Sequence, residues 1–163
     1  MQTYKNRSWQ PFHEVHEKLP VKLYDWLLYS GSFMERLRVH GVKNPYVDVV
    51  RQYWEMPEPH EIKKLDLSSS ADVLIREVYI LSENKRWMFA RTVLPRDTLT
   101  GEQQVLANLG DRSLGSVLFN DPSMQRSEFE FSQGDEWGRR SIFTLQNKSL
   151  LLTEFFLKDM ETL

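Results

Sequence analysis

Three stretches of this chain alternate as β-strands do, and each carries a charge in line with its apolar face. Side chains two apart share a strand face. Arg76, in residues 73–80, therefore lies with Leu74, Val78 and Ile80, and Arg91, in residues 87–94, lies with Trp87, Phe89 and Val93. Glu154, in residues 150–157, falls in line with Leu150, Leu152 and Phe156. A dehydrated charge is costly unless it is paired, so the fold these strands build must give each one a partner, in the protein or in a ligand. Two arginines and one carboxylate leave one positive charge over, which a small anion would balance. Guanidinium suits that task because it stays charged when dehydrated and grips a carboxylate through two parallel hydrogen bonds. The opposing reading is structural: Arg76 or Arg91 pairs with Glu154 or Glu77 inside a filled core.

The surrounding pattern sets the architecture. Residues 73–82 and 86–94 flank Glu83, Asn84 and Lys85, which by length and composition predicts an antiparallel hairpin. Residues 46–54, 126–131, 139–145 and 149–157 read as further strands, the last two joined by a tight turn around Asn147 and Lys148. Helical signals gather at the start and in the middle. Leu19, Leu23, Trp26 and Leu27 form an amphipathic stretch that stops at Gly31. Ser32 and Glu35 have the spacing of a capping box, opening a helix that runs to Val39 before His40 and Gly41. Thr100 and Gln103 repeat that spacing for a helix through Leu109, stopped by Gly110, and Ser113 precedes a short apolar segment, 114–119. The Pro- and charge-rich residues 56–70 read as a surface loop. About six strands joined mostly by short turns, with helices set apart, predict an α+β fold on a single antiparallel sheet rather than a parallel βαβ fold. One domain spanning 1–163 is expected, since 163 residues with 40% hydrophobic content can bury one substantial core.

Charge and composition exclude several functions. The 21 basic and 23 acidic residues are scattered without long runs, which disfavours nucleic acid and acidic membranes as partners. The absence of cysteine removes disulfides, thiolate metal sites and cysteine nucleophiles, and suits a reducing compartment. The apolar run at 150–157 is too short to span a bilayer, and residues 1–10 lead into no apolar signal region, so a soluble cytoplasmic protein is expected. His13, His16, His40 and His60 form no metal-ligand set, and there is no phosphate loop, serine-nucleophile elbow or His-Glu-x-x-His. The Trp137-Gly138-Arg139-Arg140-Ser141 segment could hold an anion, but as a loop entering a strand it reads as structural, with one solvated arginine. The predicted helix starts place free backbone N–H groups near Phe33 and Leu114, where a carboxylate can accept them unless Ser32, Ser113 or water does.

Six segments occur in a familiar order: Asp25-Trp26-Leu27-Leu28, Ile75-Arg76-Glu77-Val78, Ala90-Arg91-Thr92-Val93-Leu94-Pro95, Leu114-Gly115, Trp137-Gly138-Arg139-Arg140-Ser141 and Leu150-Leu151-Leu152-Thr153-Glu154. From about Asp25 to the C-terminus the chain resembles the bacterial chorismate pyruvate-lyase family. The resemblance implies a sheet of about six strands and an internal ligand cavity under two helix-turn-helix flaps. It also implies no metal or organic cofactor; a monomer is expected, although the sequence does not reveal the oligomeric state. The implied reaction turns chorismate into 4-hydroxybenzoate and pyruvate, the first step of ubiquinone biosynthesis. It carries the catalytic arginines onto Arg76 and Arg91 and the ligand-contacting glutamate onto Glu154, with Leu114 as one flap contact. A methionine is usual at the other flap contact, where this chain offers Phe33 with Met34 beside it. In this assignment Arg76 holds the ring carboxylate, Arg91 the enolpyruvyl carboxylate, and Glu154 the ring hydroxyl. The alternative is a non-enzymatic effector-binding domain of the same fold. Those sensors follow a winged-helix domain, and the residues before Asp25 are too few and insufficiently basic to form one.

Overall fold

The computed structural model describes residues 5–163. Its strands are β1 (Gln10–Pro11), β2 (Tyr46–Glu55), β3 (Val73–Ser82), β4 (Lys85–Pro95), β5 (Gln125–Arg126), β6 (Glu130–Ser132), β7 (Gly138–Leu145) and β8 (Lys148–Phe156). Its α-helices are short: α1 (Phe12–Val15), α2 (Tyr24–Leu28), α3 (Phe33–Val39), α4 (Pro59–Leu65) and α5 (Gly115–Leu118). The strands form one antiparallel sheet in the order β1-β6-β7-β8-β4-β3-β2, with β5 also on β7. The last strand of the chain thus lies inside the sheet, between β7 and β4. The fold is α+β, as the pattern predicts. Among the described residues no helix is long and apolar enough to cross a membrane.

Tight turns set the hairpins. Glu83 and Asn84 carry positive φ (53° and 67°), as do Gln146 and Asn147 (48° and 65°), the backbone twist that two-residue hairpin loops favour. One irregularity in the first hairpin has a large effect. Near the turn Ser82 faces Lys85 and Leu81 faces Arg86, but the register then shifts so that Ile80 faces Met88. Trp87 is the extra residue. A slip of one residue exchanges the faces of everything beyond it. Arg76 faces Thr92, and Arg91 faces Glu77. Arg76 and Arg91 therefore lie on opposite faces of the sheet. Trp87 itself packs in the cluster of Val78, Ile80 and Ala90, apart from Phe89 and Val93.

Three other expectations are revised. The strand predicted at 126–131 is broken into β5 and β6, because Ser127 Oγ accepts the Ile142 N–H at 2.8 Å in place of a ladder carbonyl. With β1 added, the six predicted strands become eight. The segment read as a surface loop at 56–70 contains α4, with Pro59 in its first turn and a reciprocal capping box between Glu58 and Glu61. The helix predicted at 100–109 is a run of 3-10 turns over Gly101–Ala107, and the Thr100 side chain does not cap it. Instead Thr100 Oγ1 donates to the Asp97 carbonyl.

The prediction for α3 is closer. Ser32 Oγ accepts the Glu35 N–H at 3.3 Å. The helix closes in a Schellman motif, with Val42 N–H donating to the Leu37 carbonyl at 3.0 Å and Gly41 at φ 86°. Leu37 and Val42 are both buried in the largest core cluster, which fastens α3 to the sheet through Val78, Met88 and Phe156.

Candidate active site

Alternation places Arg76, Val78 and Ile80 of β3, Met88, Ala90 and Thr92 of β4, and Leu152 and Glu154 of β8 on one wall of a cavity. The opposite wall comes from the starts of two helical segments, Gly31 to Met34 and Ser113 to Gly115. These starts meet each other: a Cβ on Gly115 would stand 3.9 Å from Ser32 Oγ. Phe33 is buried, its ring edge-on to Trp26 and Phe156, while Met34 beside it is partly buried. Phe33, Met34 and Leu114 all line the cavity.

Arg76 is 2% exposed, yet its hydrogen-bond partners are neutral. Nη1 donates to Gln52 Oε1 at 3.2 Å and Nη2 to the Arg112 carbonyl at 2.9 Å, and no carboxylate pairs with it among the described residues. Burial accordingly lowers its pKa from the ordinary arginine value. A buried cation without a counter-charge, on a cavity wall, has the charge and the free space to take an anion.

Glu154 lies two strands away on the same face, in a row that runs Val78, Ala90, Glu154 and Arg139. It is 4% exposed. Arg139 Nε donates to Glu154 Oε2 at 2.7 Å, and Arg126 Nη2 donates to the same oxygen at 3.3 Å. Arg139 also spends Nη1 on the carbonyls of Trp26, Leu27 and Tyr29, so it satisfies the end of α2 from across the fold. Arg126 lines the cavity, and its guanidinium lies 4.4 Å from the ring centre of Phe129 and 4.5 Å from that of Phe143. Burial pushes its pKa down to about 10, with Glu154 opposing the shift only in part. Arg76, Arg126 and Arg139 against Glu154 leave two positive charges around one cavity.

The sequence placed Arg76 and Glu154 together, and the structure does so. Arg91 is on the other side of the sheet. There it forms a bidentate pair with Glu61, with Nε and Nη2 both at 2.8 Å, and donates from Nη1 to Glu77 at 3.2 Å. Arg51 closes the cluster on Glu77 at 2.6 Å. Burial works against the charge on Arg91, but the Glu61 hydrogen bonds and charge outweigh it and hold the pKa above the ordinary arginine value. The structural reading weighed for the arginines thus holds for Arg91. Arg126 and Arg139 are the residues the sequence reading missed. Arg126 stands at a strand break, and Arg139 falls in a loop-to-strand segment expected to be structural with one solvated arginine, although both Arg139 and Arg140 are buried. The signal was present in alternation: Arg139, Ser141 and Phe143 share the cavity face of β7.

The fold and this cavity define an α+β domain with an internal cavity between its sheet and two helical segments. Known proteins narrow the class. The family model described as chorismate lyase matches residues 3–161, and the chain belongs to the chorismate lyase family. A chorismate pyruvate-lyase of Hamiltonella defensa is 37% identical over 151 residues, covering 92% of this chain and 85% of that protein. One from Salmonella gallinarum is 37% identical over 141 residues, covering 85% and 84%. Among solved structures, PhnF from Mycobacterium smegmatis superposes with a TM-score of 0.58 at 14% identity, covering 82% of this chain and 66% of that one. The effector domain of PhnF gives 0.55 at 14% identity, covering 81% and 91%. At that identity the likeness is one of fold alone.

Proposed function

We propose that this protein is a chorismate pyruvate-lyase, converting chorismate to 4-hydroxybenzoate and pyruvate at the start of ubiquinone biosynthesis. The observation that carries the reading is Arg76, a cavity-wall guanidinium with no carboxylate partner among the described residues, in a cavity that Glu154 also lines. Chorismate has a ring carboxylate with a hydroxyl para to it. Arg76 and Glu154 stand two strands apart, on the order of 10 Å across the sheet, which suits those two groups once both side chains lean inward. Arg76 holds the ring carboxylate, with the backbone at Phe33 or Met34 and at Leu114 closing over it as flaps. Glu154 accepts the ring hydroxyl.

The chemistry asks little of the protein beyond geometry and charge. Loss of the side chain completes the aromatic ring, so the step is strongly downhill once the conformer is held. In a six-centre retro-ene step the ring C–O bond breaks and that oxygen becomes the keto group of pyruvate. The hydrogen on the hydroxyl-bearing carbon moves to the enolpyruvyl methylene and makes its methyl group. Electrons and atoms balance without an external acid, base or oxidant. Among the described residues Glu154 is the one carboxylate that lines the cavity, and no histidine or lysine lines it, which supports an intramolecular transfer. An effector-binding domain of this fold would bind such an acid without turnover, and the family match over 3–161 favours the enzyme.

The test is direct. Purified protein incubated with chorismate is expected to release 4-hydroxybenzoate and pyruvate in equal amounts, and binding without products would refute the lyase. Deuterium on the hydroxyl-bearing carbon is expected in the pyruvate methyl group; its appearance only in solvent would replace the retro-ene route with base-assisted elimination.

A further inference from the structure

We propose that Arg126 binds the enolpyruvyl carboxylate of chorismate, and so distinguishes the dianionic substrate from the monoanionic product. The inference rests on the lyase reading above. In chorismate the enolpyruvyl ether leaves the ring at the carbon next to the one bearing the hydroxyl. A hydroxyl held at Glu154 therefore delivers the second carboxylate to the immediate surroundings of Glu154. The cavity-lining cation there is Arg126, whose side chain is 8% exposed and whose Nη2 lies 3.3 Å from Glu154 Oε2.

Its posture is set before any ligand arrives. Nε donates to Ser141 Oγ at 2.9 Å and Nη1 to the Ser30 carbonyl at 2.8 Å, while Phe129 and Phe143 pack against the guanidinium. Those two bonds and the Glu154 contact use three of the five N–H groups a guanidinium carries, leaving one on each terminal nitrogen for a carboxylate. The other arginines are already committed. Arg139 points Nε and Nη2 at Glu154 and Nη1 at three carbonyls, and it does not line the cavity. Arg91 is bound to Glu61 and Glu77 on the far face. With chorismate in place every charge has one counterpart: Arg76 the ring carboxylate, Arg126 the side-chain carboxylate, and Arg139 Glu154. Departure of pyruvate removes the ligand of Arg126 and leaves that of Arg76.

Arg126→Gln separates this role from a structural one. The KM for chorismate is expected to rise by at least about thirtyfold, the scale of losing one partner of a buried charge pair. The dissociation constant of 4-hydroxybenzoate, read by calorimetry, is expected to stay within about threefold. Equal losses for substrate and product would mean that Arg126 acts only by positioning Glu154, and no change in either would also overturn the proposal. Should the Gln variant not fold, the wild-type protein decides. 4-Hydroxybenzoate bearing a 3-carboxymethoxy group should bind at least about thirtyfold tighter than its side-chain methyl ester, and equal affinities would refute the assignment. If the wild type binds these ligands but never turns over chorismate, the lyase reading fails while the carboxylate preference still stands or falls on its own.

Discussion

At the scale of single residues, two buried arginines one strand apart have opposite fates. Arg76 faces an unfilled demand for negative charge, so Arg76→Gln is expected to lose both chorismate turnover and 4-hydroxybenzoate binding in a folded protein, measured by product formation and calorimetry. Arg91 has its demand met by Glu61 and Glu77. Arg91→Leu would strand the buried carboxylate of Glu61 and leave Glu77 to Arg51 alone, and is expected to destabilise the fold by about 3 to 5 kcal/mol, read from urea unfolding, with the KM for chorismate unchanged in the folded fraction. Both arginines were visible in the sequence as charges within strand patterns. Their separation was not, because it depends on Trp87 being an extra residue in β4, and a bulge leaves no mark in the alternation of a single strand.

At the scale of elements, α4 shows how a loop-like composition can conceal a helix. Its seven residues are too few for a clear apolar period, yet Glu58, Pro59 and Glu61 supply the start signals, and Glu61 is drawn into the far-face ion cluster. The helix also carries His60, whose Nδ1 lies 3.1 Å from Arg140 Nη1. Burial lowers the pKa of His60 from its ordinary value of 6.5, and Arg140 adds to the shift against the pull of Glu61. Below pH 6.5 the unfolded chain then binds a proton that the folded one resists, so stability is full above that value and falls as pH drops toward the lowered folded pKa. The urea midpoint of the wild type is expected to decline with acidification in that window, and His60→Gln is expected to flatten that part of the curve. An identical decline in both proteins would exclude His60 as the cause.

At the scale of the whole molecule, the cavity exists because two helical segments distant in sequence close over one face of a sheet. Ser32 and Gly115 meet at that closure, and the carbonyls before α3 are tied through Arg139 to Glu154, the proposed hydroxyl ligand. If product is held under such a cover its release requires the segments to part, and stopped-flow traces are then expected to show a burst of 4-hydroxybenzoate ahead of a slower steady rate. A linear trace from the first turnover would place the slow step in chemistry. The α+β class, the core hairpin, the helix start at Ser32 and the candidates Arg76 and Glu154 were determined by local pattern, since strand alternation, turn residues and caps act over a few neighbouring residues. The partition of the arginines, by contrast, was decided only in the tertiary structure. Which face Arg91 takes, and that Arg126 and Arg139 converge on Glu154, depend on register across strands and on where a broken edge strand returns, and those are relations between residues that the chain keeps far apart.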